Sequence, residues 1–171
     1  MIRLLTFLTS ALVLAAPQDP AADPLRERIA AAVAATGLHH DASASGASHV
    51  LRYDHDGNRQ QRVYVSARAG TAGARRMVTV YTTVWHGTEP PSDDLLRKVF
   101  TNCKKFGSYY LFAESDGSWS IRFADQVDVT TLPDRPAPDD PVVARLRATI
   151  EFVDQVGEAT DKDLNGDRDG G

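Results

Sequence analysis

Apolar residues recur along this chain at two spacings. Between Ser92 and Gly107 they fall three and four apart. Leu95, Leu96, Val99, Phe100 and Cys103 make one stripe, the spacing of an amphipathic helix. Ser92 supplies an N-cap after Pro90-Pro91, and Asp93 and Asp94 place carboxylates in the first turn, where the helix dipole favours them. Gly107 is the expected left-handed terminator. The spacing then changes to two. Ser108 to Glu114 predicts a strand, Ser115-Asp116-Gly117-Ser118 a tight turn, and Trp119 to Asp125 a returning strand. In the returning strand Trp119, Ile121 and Phe123 alternate with Ser120, Arg122 and Ala124, which gives one buried face and one wetter face.

The flanking chain reads in the same two periods. Asp23-Pro24 caps and begins a first helix, Leu25, Ile29 and Val33 form its stripe, and Gly37 ends it. Leu38 to Ser48 reads as a loop. Three strands follow: His49 to Asp54, Arg62 to Ala67, and Arg76 to Trp85, with a turn at Asp56-Gly57-Asn58 between the first two. The third is the longest. Its Val78, Val80 and Val84 alternate with Thr79, Tyr81 and Trp85, which predicts a central strand covered on both faces over part of its length. Val127 to Leu132 predicts a brief further strand, and Pro133 to Pro141 an extended connector. Asp140 caps a last helix with the stripe Val142, Val143, Leu146, Ile150, Val153 and Val156, ended by Gly157. The order is α-β-β-β-α-β-β-α. Each helix has one apolar stripe, so an α+β fold with helices packed on an antiparallel sheet is expected.

Composition adds a compartment. Arg3, the apolar run Leu4 to Leu14 and the small residues around Ala15 read as a signal peptide over residues 1–15, too short to span a bilayer comfortably, with an uncleaved N-terminal anchor as the alternative. Residues 16–22 read as a flexible leader, 23–157 as one domain, and 158–171 as an acidic tail without structure of its own. The expected localisation is export, to a periplasm or the outside, with no membrane association after cleavage. The 171 residues are 42% hydrophobic and 25% charged, with a net charge of −4. That balance suits a globular domain and argues against a nucleic-acid partner, which asks for a basic surface. Cys103 is the lone cysteine, so no internal disulfide can form.

In element order and apolar pattern the chain resembles the type III secretion chaperone-like fold, and within it the YbjN-type, or CesT-like, sensory-transduction-regulator families. The likeness is concentrated in Asp94-Leu95-Leu96, Asn102, Tyr110-Leu111-Phe112, Asp116-Gly117 and Ile121-Arg122-Phe123, and in the final helix Val142 to Val156. The resemblance implies a protein that acts by binding a protein or peptide, commonly as a homodimer, without catalysis. The expected function is therefore an exported, non-enzymatic protein- or peptide-binding domain. It would engage its partner through an exposed sheet face or the first helix.

Three other chemistries have a foothold. His39, His40, Asp41, His49, Asp54, His55 and Asp56 are zinc-ligand types, but adjacent histidines in a loop do not fix a tetrahedron. An envelope enzyme would need His39, His40, His55 or Cys103 to converge on one pocket. On its helix stripe Cys103 reads as a buried thiol. The alternative metal reading is calcium. Asp161, Asp163, Asn165 and Asp167 match the first half of an EF-hand loop, with Gly166 at the sixth position. The bidentate Glu at the twelfth position is missing. This makes calcium a weak candidate and no cofactor the expectation. No nucleophile elbow, Walker loop or dinucleotide fingerprint occurs in the sequence.

Overall fold

A computed structural model describes residues 23–56, 59–101 and 107–165. Residues 1–22, which the sequence reads as signal peptide and leader, Gly57-Asn58, Cys103 and the last six residues lie outside the described residues. Helix α1 spans Pro24–Ala35, α2 Asp93–Thr101 and α3 Pro141–Asn165. The strands are β1 (His40–Ala42), β2 (Ser48–His55), β3 (Arg59–Ser66), β4 (Gly70–Ala72), β5 (Arg75–Gly87), β6 (Ser108–Ala113) and β7 (Trp119–Asp128). The fold is α+β with a wholly antiparallel sheet, as expected. The sheet order is β1-β2-β3-β5-β7-β6, and β4 continues the β3 edge of β5.

The helix starts work as read. Asp23 accepts from Leu25 N at 3.0 Å, Ser92 Oγ from Leu95 N at 3.2 Å, and Asp140 from Val142 N at 2.8 Å. Each carboxylate or hydroxyl satisfies an amide that the first helical turn leaves without a carbonyl. Gly37 and Gly107 both have positive φ, of 73° and 74°. At Gly107 a Cβ would also strike the Phe123 ring, 2.4 Å away, so glycine is required there twice over.

Two short strands were not expected. β1 pairs with β2 and β4 with β5, three residues each. Such short runs carry no periodicity of their own and exist because a neighbouring strand offers its edge. The extra strand predicted from Val127 is instead the end of β7, which pairs with β5 from Trp119 to Asp128 with one register shift.

All three helices feed one core. Leu25, Ile29 and Val33 of α1, Val99 of α2, and Val143, Leu146, Ile150 and Val153 of α3 are buried with Val63, Val65, Val78, Val80, Ile121 and Phe123. By strand parity those sheet residues share one face. The helices therefore cover a single face, and β5 is central without being covered on both faces. A register shift between Thr83 and Trp85 turns Trp85 toward the core beside Ile121. Phe100, expected in the α2 stripe, is instead 40% exposed.

The largest correction concerns α3. It does not stop at Gly157 but runs to Asn165, so residues 158–165 are helix and not tail. Gly157 is buried in the helix interior because α3 presses on the sheet there. A Cβ at 157 would lie 2.5 Å from Thr82 Cγ2 and 2.7 Å from Gln61 Nε2. This half of α3 docks through polar groups. His55 Nε2 meets Asp154 Oδ1 at 3.0 Å, Arg59 pairs with Glu158, and Tyr109 Oη meets Thr160 Oγ1 at 2.7 Å. Among the described residues no helix is long and apolar enough to cross a membrane.

Candidate functional site: the open face of the sheet

The sheet face opposite the helices carries the residues of the other parity. Tyr64 of β3 pairs directly with Tyr81 of β5, and their rings stack at 5.0 Å with 13° between planes. Arg122 of β7 lies diagonally from Tyr81, its guanidinium 5.1 Å from that ring centre. On its other side it lies 4.5 Å from the ring of Phe112 on β6. Tyr110 follows at 6.4 Å from Phe112. One row of rings and a cation thus crosses four neighbouring strands, each contact favoured by stacking or by the attraction of a cation to a ring face.

Arg122 is held from outside the row. Its Nη2 donates to Glu114 Oε1 at 2.5 Å, and Ser120 Oγ donates to the same oxygen. The Ser120 bond, and after it the Arg122 charge, hold the Glu114 carboxyl below its usual range. The curved sheet makes a groove of about 330 Å³ over this row, lined by Tyr81, Tyr110, Phe112, Arg122, Gln126 and small hydroxyl residues. Among the described residues Arg122 is the single charged side chain in the lining. A groove of that size, with aromatic walls, one cation and several hydrogen-bonding side chains, suits an extended segment of mixed polarity.

A smaller cavity of about 170 Å³ lies on the helix side, between β7 and α3, at Asp125, Arg145, Thr149 and Phe152.

Among the described residues the sequence-predicted sites do not assemble. His40 and His49 meet at one end of β2, ring centres 5.6 Å apart, with His39 exposed nearby. His55 lies at the other end of that strand, roughly 20 Å away by strand rise, where it is committed to Asp154. Burial, and then the neighbouring His40 and Arg26, depress the His49 pKa. Among the described residues no group of three His, Cys, Asp or Glu side chains could hold a metal ion. The calcium reading meets a specific obstacle. Asp161, Asp163 and Asn165 lie in α3, and on a helix Asp161 and Asp163, two apart, point to opposite sides. Asp161 is buried and Asp163 exposed, so they cannot share an ion as loop ligands do. Asp167 and Cys103 lie outside the described residues.

One constellation was missed. His86 Nε2 lies 3.0 Å from Ser118 Oγ, and Ser118 Oγ donates to Asp116 Oδ1 at 2.6 Å. The order is wrong for a nucleophile. The serine proton goes to the carboxylate, whereas activation needs the imidazole between serine and acid. The bonds from Ser118 lower the Asp116 pKa and fix the β6–β7 turn.

No protein-family model matches the chain, and no curated protein matches it.

Proposed function

We propose that this chain is an exported binding protein that takes an extended peptide segment of a protein partner on the open face of its sheet, without catalysis. The observation that carries the reading is the sheet face that no described helix covers. Tyr81, Arg122 and Phe112 of its aromatic row line a groove, Tyr64 stacks behind Tyr81, and the described helices occupy the other face. Burying aromatic surface there would supply affinity, and Arg122 with Gln126 would orient main-chain and side-chain oxygens. The resemblance to the type III secretion chaperone-like fold supports the same reading through element order and helix placement.

The test is an NMR titration of the chain with extended decapeptides of alternating apolar and polar residues. The expected result is shift changes at Tyr64, Tyr81, Tyr110, Phe112 and Arg122. Binding should fall at least tenfold in Tyr81→Ala and Arg122→Ala. Shifts confined to the helix face, or binding unaffected by both substitutions, would overturn the reading.

A further inference from the structure

The open face carries a second row beside the aromatic one. Arg52 of β2 pairs directly with Arg62 of β3. The β3–β5 register sets Val63 opposite Thr82, which places Arg62 opposite Thr83, and Thr83 pairs with Arg122 of β7. Three arginines thus stand in one line across four strands, interrupted by a threonine. Tyr64 and Tyr81 lie two residues further along β3 and back along β5, on the same face. The two rows therefore run side by side, about 7 Å apart.

Carboxylates answer only part of this charge. Arg52 meets Asp41 at 3.7 Å, and Arg122 gives its Nη2 to Glu114. Asp54, on the same face of β2, accepts from Gln60 at 3.1 Å. Arg62 is exposed and has no ion pair among the described residues. Arg122 Nε has no hydrogen-bond partner among them either. Like charges directly opposite each other weaken a strand pair, so Arg52 and Arg62 oppose the pairing of β2 with β3. An anion lying on the row removes that opposition. The whole chain is at −4, so the row is a local reversal of sign.

We propose that the open face selects acidic segments: an extended peptide in which carboxylate and apolar side chains alternate, the carboxylates on the arginine row and the apolar residues on the tyrosine row. This selectivity rests on the peptide reading of the groove and adds the chemistry of the partner. An extended chain sends successive side chains to opposite sides. Laid across the strands between the two rows, it turns every second residue to the arginines and the others to Tyr64, Tyr81 and the groove. Neighbouring strands lie about 4.8 Å apart, so Arg62 and Arg122 are anchored about 10 Å from each other, while carboxylates at i and i+2 of the peptide are about 7 Å apart. The long arginine side chains close that difference, and their planar forks match carboxylate geometry. Thr83, between them, adds a hydroxyl that can donate to either carboxylate.

The probe is a decapeptide alternating serine and valine in which two central serines, i and i+2, are replaced by glutamate. Control peptides carry glutamine or lysine at those places. In calorimetry at about 50 mM salt the glutamate peptide should bind about tenfold tighter than the glutamine peptide, and the lysine peptide more weakly than either. The difference should close toward about 500 mM salt. Arg62→Gln should cut the glutamate preference to about threefold or less and leave the affinity for the glutamine peptide unchanged. It should not lower the melting temperature, because it removes a like-charge pair from an exposed position.

Amide shifts separate the two ways of failing. If the glutamine peptide shifts Tyr81 and Phe112 but glutamate brings no gain, or if the gain persists in Arg62→Gln, the acidic selectivity is overturned and the peptide reading stands. If none of the peptides shifts the open face, both fall together. A heparin tetrasaccharide that binds the arginine row more tightly than the glutamate peptide would assign the row to a sulfated sugar and overturn the proposal.

Discussion

Gly157 on α3 lies so close to Thr82 on β5 that a single methyl group would not fit between them: a Cβ at 157 would sit 2.5 Å from Thr82 Cγ2. Alanine is the better helix former by about 1 kcal/mol. The contact opposes it, because overfilling a packed interface costs about 1–3 kcal/mol. Gly157→Ala should therefore lower the melting temperature, by about 3–6 °C. Adding Thr82→Ser, which removes the struck methyl, should return part of the loss. A rise in melting temperature for Gly157→Ala alone would mean that α3 does not press on β5.

Removing residues 158–171 should be far from silent. It takes Glu158 from the buried Arg59 and Thr160 from Tyr109. Depriving a buried guanidinium of a carboxylate costs about 3 kcal/mol or more. Thermal unfolding of the chain ended at Gly157 should thus shift down by about 10 °C. An unchanged transition would restore the reading of this segment as a dispensable tail.

Asp154 should give the acid limb of stability an unusual sign. Burial raises its carboxyl above 3.8, a shift only partly offset by the His55 hydrogen bond and charge. A raised folded pKa means that the folded state binds the proton more tightly than the unfolded chain. The contribution is full below 3.8 and is lost as pH rises through the raised value. Asp154→Asn should therefore gain stability relative to the parent as pH increases from about 3 to 7. Urea midpoints that move together across that range would contradict it.

Tyr53 makes a parallel case at the alkaline end. Burial, and then the Asp154 and Glu151 charges, push its phenol from 10.0 to about 12. The neutral ring is the folded form, so stability should hold below pH 10 and decline toward 12. Tyr53→Phe should remove that share of the decline, and absorbance titration near 295 nm should lose its latest-ionising phenol. Tyr53 Oη is buried without a hydrogen-bond partner among the described residues. The same variant should therefore be neutral or more stable by up to about 1 kcal/mol at pH 7.

The groove and the α3 dock were only half legible. Tyr81 and Arg122 could be placed on outward-facing positions of their strands from alternation alone. That they meet depends on β5 and β7 being neighbours in the stated register, which pairing across the sheet decides. Arg59 and Gln61 occupy the same inward parity as Val63 and Val65. Parity could have flagged them as buried. The Glu158 partner of Arg59 and the close approach of Gly157 to Gln61 could not be found, because Gly157 reads locally as a helix end.

The sequence by itself determined what is local. Caps at Asp23, Ser92 and Asp140, the turn at Asp116-Gly117 and the two apolar periods each act over a few residues, so the elements and the α+β class could be read before any contact was known. The tertiary structure decided what depends on distant neighbours. It converted Gly157 from a terminator into a packing contact and created β1 and β4 from edges offered by β2 and β5. It also put every helix on one face of the sheet. Local periodicity is silent on which face a helix will choose, because both faces of β5 carry residues that could be covered. The choice is made by where the apolar area of three helices can be buried at once, and its consequence is the open, aromatic face.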